Sequence, residues 1–170
     1  MVAQRRFARV FRHLAYPGWM TRRAFPRATL ESIEAAIREA ERSHRAELCF
    51  VVEGALDLIA VARGFSPRHR AIHVFSQLRV WDTEENCGVL IYVQLVDHCI
   101  EIIADRGISA RVEQHEWDAI CHRMEDAFGK RRFDEGAVQG IREIGALLAR
   151  HFAARDGGRN ELPDKPIILP

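Results

Sequence analysis

Residues 81–107, WDTEENCGVLIYVQLVDHCIEIIADRG, decide how this chain folds. An acidic loop leads into two apolar runs, 88–96 and 99–104, parted by Asp97-His98. β-Branched and aromatic residues between turn formers read as two strands of a hairpin. With Asp97-His98 as a two-residue turn, Val96 faces Cys99, Gln94 faces Glu101, Tyr92 faces Ile103 and Leu90 faces Asp105. Gln94 opposite Glu101 sets the two polar interruptions side by side, which supports that register. Asp82, Glu84, Glu85 and Asn86 then lie just beyond Gly88, at the end of the ribbon where Asp105 sits.

Outward from this ribbon, helices alternate with strands. Residues 29–45 carry an apolar stripe (Leu30, Ile33, Ala36, Ile37, Ala40) with charged pairs such as Glu34–Arg38 at helical spacing. Residues 47–53, with LCFVV at their centre, read as a buried strand. Residues 54–64 read as a loop with one helical turn. Ser66-Pro67 is a helix start, cap followed by first-turn proline, for a helix to about Val80 with Ile72, Phe75 and Leu78 inward. A short turn is expected at 109–112. Two more helices follow, 113–130 and 133–152, with Trp117, Ile120, Cys121, Met124 and Phe128 on one and Val138, Ile141, Ile144, Leu147 and Leu148 on the other. Trp81, Trp117 and Phe133 are expected in the core. Apolar strands need cover on both faces, so the fold class expected is α/β, a three-layer α/β/α sandwich on a mixed sheet. The core domain spans 28–152, after a basic helix and connector (1–27) and before an extended, poorly packed tail (153–170).

The 170 residues can bury one sizeable core. A net charge of +1 argues against nucleic-acid binding over the whole surface. Charge is unevenly placed: residues 1–30 hold Arg5, Arg6, Arg9, Arg12, Arg22, Arg23 and Arg27, and the first acid is Glu31. In helix 3–16, Phe7, Val10, Phe11 and Leu14 share a face, and Trp19 follows. Such a helix suits an anionic membrane surface or a partner-protein groove; the alternative, preferred here, is that it docks on the domain with its arginines solvated. Cys49, Cys87, Cys99 and Cys121 show no C-x-x-C spacing and read as free thiols of a reducing compartment. No run of about 18 apolar residues predicts a membrane span, and the basic N-terminus lacks the apolar segment of a secretory signal. The expected location is cytoplasmic, with peripheral contact to the inner membrane as the variant.

Carboxylates converging on one strand end repel unless neutralised. Asp82, Glu84, Glu85, Asn86 and Asp105 are therefore candidate oxygen ligands of a divalent cation, Ca²⁺ first and Mg²⁺ second. The plainer reading is a surface turn, with Asp105 pairing Arg106 or capping a helix. The motifs of aspartyl-phosphate, cysteine and serine phosphoryl or acyl chemistry are absent, as are glycine-rich phosphate loops. Cys121-His122 reads as helix packing. His69 and His73 have a zinc-compatible spacing but lack the glutamate of a zinc protease. Any phosphate-ester cleavage would have to use metal-activated water, with Asp105 and a loop carboxylate on the ion and Arg106 steadying the phosphate.

Several segments carry a family resemblance. They are the helix ending at His44 before AELCFVVE, then FSQLRVWDTEENCGVLIYV, then IIADRGI, Trp117, and FDEGAVQGI followed by LLARHF. Over about 28–152 the chain resembles the TPM domain, the family of the plant thylakoid-lumen acid phosphatase and many bacterial envelope proteins. Its basic first helix and ELPDKP tail are similar to a short bacterial subgroup without signal peptide or membrane anchor. The resemblance implies a Rossmann-like mixed sheet of about four strands. It also implies a divalent-cation site, often calcium, at the Asp82–Asn86 loop and Asp105. Cys87 stands where the family's loop usually has asparagine, with Asn86 one position earlier. With no complete catalytic constellation visible, the first reading is a cation-binding module acting through protein or membrane contacts; the alternative is a metal-dependent phosphatase acting on phosphate monoesters, and the third is a structural interaction domain without a site.

Overall fold

Two strands without one exposed residue run through the middle of the protein. In a computed structural model, which describes residues 2–154 and 160–170, these are β1 (Glu47–Glu53) and β2 (Gly88–Gln94). The elements in chain order are α1 (Val2–Leu14), α2 (Trp19–Ala24), α3 (Arg27–Glu41), β1, α4 (Leu58–Ala62), α5 (Pro67–Gln77), β2, β3 (Cys99–Ala104), α6 (Arg106–Ser109), α7 (Gln114–Gly129), α8 (Phe133–His151) and β4 (Ile167–Leu169). Side chains of residues 1–6, Arg5 and Arg6 among them, lie outside the description, as does the tail segment 155–159.

The sheet order is β3-β2-β1-β4; β1 is parallel to β2 and β4, and β2 is antiparallel to β3. Alternate side chains feed two cores. Leu48, Phe50, Val52, Val89, Ile91, Val93, Ile100 and Ile102 face α3, α7 and α8. Cys49, Val51, Leu90, Tyr92 and Ile103 face α5, with Ala71 and Val74 of that helix fully buried. This is the three-layer α/β/α arrangement. Gly88 opens β2 because a Cβ there would stand 1.8 Å from the Val80 carbonyl oxygen. Gly140 likewise lets α8 close on α7, where a Cβ would meet the Met124 sulfur at 2.3 Å.

Several expectations need correction. In the hairpin, Gln94 faces Cys99, Tyr92 faces Glu101 and Leu90 faces Ile103, so the register is displaced by two residues and the loop is Leu95–His98. The cause is β1: the backbone N–H groups of Leu95 and Val96 donate to Glu53 O and Gly54 O (3.1 and 3.3 Å), drawing those residues out of the ribbon. The buried Gln94 amide closes the loop, donating to Gly54 O (2.9 Å) and accepting from Asp97 N (2.7 Å), and His98 takes a left-handed φ of 52°. A shift of two leaves every side chain on its expected face. On α5, Ile72 is 44% exposed; the fully inward residues are Ala71 and Val74, with Phe75 and the C-cap Leu78 half-buried and packed against the same core as expected. Trp81 is 45% exposed beside Arg79 and does not belong to the core. The connector after Pro17 contains the helix α2, and residues 106–109 form α6 before the expected turn. Phe25, from the segment read as a connector, is buried among Phe50, Phe128 and Phe133.

The tail is not poorly packed throughout. Ile167–Leu169 adds a strand to β1, and Glu47 Oε2 accepts from the backbone of Glu161 and Leu162 (3.2 and 3.0 Å). This places Glu47 and Asp164 near Glu41, whose carboxylate accepts from Leu48 N at 2.8 Å. Burial first, and then those two carboxylates, push Glu41 up to about 8. The unfolded chain releases this proton near its ordinary value of 4.5, the folded chain only near 8, so stability falls as pH rises across that window. Glu41→Gln keeps the acceptor and removes the titration. It is expected to raise stability at neutral pH by about 2 kcal/mol and to flatten the slope between pH 5 and 8, measured by denaturant titration across pH.

Candidate cation site at the mouth of the ribbon

Asp105 follows β3 and caps the short helix α6. Its Oδ1 accepts from Arg106 N at 2.6 Å, and its own N–H donates to Gly88 O at 2.9 Å. Capping a helix was one of the plain roles open to it. The second carboxylate oxygen, Oδ2, is buried with no hydrogen-bond partner. The 82–86 loop meets this corner through its backbone. Gly107 N donates to Asn86 O (3.2 Å), and a Cβ at Gly107 would stand 2.5 Å from that oxygen and 3.1 Å from Glu85 O. Asn86 sits at a left-handed φ of 53°, and its Oδ1 accepts from Arg106 Nε and Nη2 (3.0 and 2.8 Å). Asn86, Asp105 and Arg106 are thus brought together at one mouth.

The other loop carboxylates go elsewhere. Asp82 pairs with Arg79 (3.3 Å), and Glu85 pairs with Arg45 (2.6 Å). Glu84 is exposed, and its backbone N–H donates to Glu161. Among the described residues no three His, Cys, Asp or Glu side chains are grouped to hold a metal ion. The mutual repulsion argued from the sequence is relieved by nearby arginines. Cys87, at the family's asparagine position, is buried and donates its thiol to Arg45 O (3.2 Å), turned into the core. The oxygens that could meet a hard cation are therefore Asp105 with Asn86 and the adjoining backbone carbonyls, because Asp105 Oδ2 is a buried carboxylate oxygen with no donor among the described residues.

A second polar cluster lies at the opposite end of β1 and β2. Glu53 is 4% exposed; Arg70 grips it through Nε to Oε2 (2.9 Å) and Nη2 to Oε1 (2.8 Å), and Tyr92 donates its hydroxyl to Oε2. Burial, then Glu53, drives the Tyr92 hydroxyl well above the ordinary tyrosine range. Beyond the hairpin loop, Asp97 binds Arg9 on two nitrogens (3.0 and 2.7 Å) and stands 3.3 Å from Nε2 of buried His13. Burial lowers His13, opposed by Asp97. Burial alone would raise Asp97, but Arg9 overcomes it and holds the carboxyl below its usual range. Neither cluster was read from the sequence, since each joins residues far apart in the chain. The one available signal was charge inside apolar runs, Glu53 after LCFVV and Asp97 after VQLV. His69 and His73 both lean on Phe65, with ring centroids 5.7 Å apart in each case. The Cys121 thiol is buried and pushed up to about 12, which leaves it unreactive.

With this geometry in hand, the comparisons define the class. The model of the TPM domain family matches residues 21–147, and the chain belongs to that family. Among solved structures, the chain is similar to the BA42 protein from the psychrophilic bacterium Bizionia argentinensis, determined by NMR. The two are 29% identical with a TM-score of 0.74, covering 84% of this chain and 93% of the other. No curated protein matches.

Arg70→Ala would leave the Glu53 carboxylate buried beside Tyr92 without its cation. A loss of about 3 kcal/mol in unfolding free energy is expected, read by chemical denaturation.

Proposed function

We propose that this TPM-domain protein is a divalent-cation-binding module that works through contacts with other molecules and not through turnover. The observation that carries the reading is Asp105: one carboxylate oxygen caps α6, and the other is buried with no donor. A buried, unpartnered carboxylate oxygen is costly unless a cation meets it. Ca²⁺ is the first choice of ion, because the remaining donors are an amide and backbone carbonyl oxygens, which suit a large, flexible coordination shell better than the strict octahedron of Mg²⁺. Asp105 and Asn86 would hold the ion; Asp82, Glu84 and Glu85, ion-paired or exposed, would supply local negative potential. Arg106 competes, since its guanidinium occupies Asn86 Oδ1. Arg106 is exposed and can turn outward at little cost.

Thermal unfolding with and without Ca²⁺, Mg²⁺ and Zn²⁺ tests this. Saturating Ca²⁺ is expected to raise the melting temperature by about 5 °C. The shift should vanish in Asp105→Asn and grow in Arg106→Met, which removes the competing charge. An equal shift in wild type and Asp105→Asn would place the ion elsewhere, and no shift with any ion would end the reading. Phosphate release from a phosphate monoester, lost in Asp105→Asn, would favour the metal-dependent phosphatase instead.

A further inference from the structure

The first helix packs the wrong way round for a helix seeking burial. Arg9, His13 and Tyr16 form one stripe of α1 and its exit, and this polar stripe faces the domain. Arg9 binds Asp97 and donates to Phe65 O (2.7 Å), and His13 Nδ1 accepts from Leu56 N (2.9 Å) in a buried setting. Phe7, Phe11 and Leu14 form the stripe on the far side, at i, i+4 and i+7. They are 76%, 69% and 63% exposed, and Trp19 and Met20 of α2 are exposed as well, at 60% and 42%. Single exposed apolar residues need no explanation, but a contiguous stripe of aromatics does. The half-buried Arg9–Asp97–His13 contact holds it outward. Arg12, Arg22 and Arg23 are exposed on the same two helices, and no acid occurs in the sequence before Glu31.

We infer that the outward face of α1 and α2 docks on an anionic phospholipid surface. Aromatic and leucine side chains would enter the headgroup–acyl boundary while the flanking arginines meet phosphates, as in interfacial amphipathic helices. Charge decides between occupants. A second copy related by two-fold symmetry would set these arginines against their own equivalents with no nearby acid in the segment to neutralise them. Trp19 and Met20 also line a groove of about 620 Å³ bordered by Arg23, Arg131 and Phe133, with Glu125 on its wall. The inference stands apart from the cation reading, since Asp105 lies at the other end of the sheet.

Flotation of the full chain with vesicles tests it. Vesicles of phosphatidylcholine and phosphatidylglycerol should bind the protein at least about tenfold more tightly than phosphatidylcholine alone, and high salt should weaken binding by about tenfold. The pair Phe11→Asp and Trp19→Asp should lose about tenfold or more, with an unchanged melting temperature because both side chains are exposed. Should that pair fail to fold, Phe11→Ser alone must still weaken binding. Replacing Arg12, Arg22 and Arg23 by Gln should remove the preference for anionic vesicles. Absence of binding to anionic vesicles, equal binding to neutral ones, or full binding by the Phe11 and Trp19 variants would overturn the inference. So would a dimer in sedimentation that Phe11→Asp dissolves, which would assign the face to a second copy.

Discussion

Complete burial of β1 and β2 is the constraint from which the rest of this protein follows. Every residue of both strands is buried, so neither face of the sheet can be left bare. The larger face takes α3, α7 and α8, and the smaller takes α5 and the tail. The same burial makes polar groups on these strands demanding. Glu53 at the end of β1 has to find Arg70 and Tyr92, and Gln94 at the end of β2 has to spend its amide on the turn. Those contacts draw α5 onto the sheet and pull Leu95 and Val96 towards β1.

The two ends of the sheet therefore have different characters. At the Glu53 end, charges are paired inside the protein and do structural duty, and Asp97 recruits α1 by its polar stripe. At the Asp105 end, one carboxylate oxygen stays without a donor inside a corner made of Gly88, Gly107 and the Asn86 carbonyl. That asymmetry directs attention to the second end for ligand chemistry. Parallel strands more often place ligands beyond their carboxyl ends; here the corner depends on β3, which runs the opposite way and delivers its own carboxyl end to the amino ends of β1 and β2. No helix among the described residues is long and apolar enough to cross a membrane. Contact with lipid would be made from the surface, through side chains that α1 turns away from the core.

Much of the fold was legible in the chain because period and punctuation are local properties. The apolar runs at 47–53, 88–94 and 99–104, the Ser66-Pro67 cap and the stripes of α3, α7 and α8 all stand close to where they were read. Membership of the TPM domain family followed from the same stretches. Of the 82–86 loop, Asn86 meets the corner after β3 through Gly107 N and Arg106, whereas the carboxylates of Asp82 and Glu85 turn to Arg79 and Arg45.

Tertiary structure decided the remainder, for one physical reason: backbone and charged groups choose partners by distance in space, which a linear pattern does not contain. Ile167–Leu169 became a strand because β1 offered an unpaired edge. Leu95 and Val96 left the ribbon because Glu53 and Gly54 carbonyls were closer. Asp82 and Glu85 were claimed by Arg79 and Arg45, leaving Asn86 and Asp105 at the mouth. The sequence by itself determined that helix α1 has one apolar face and one basic face; only the half-buried Arg9–Asp97–His13 contact determined that the apolar face looks outward.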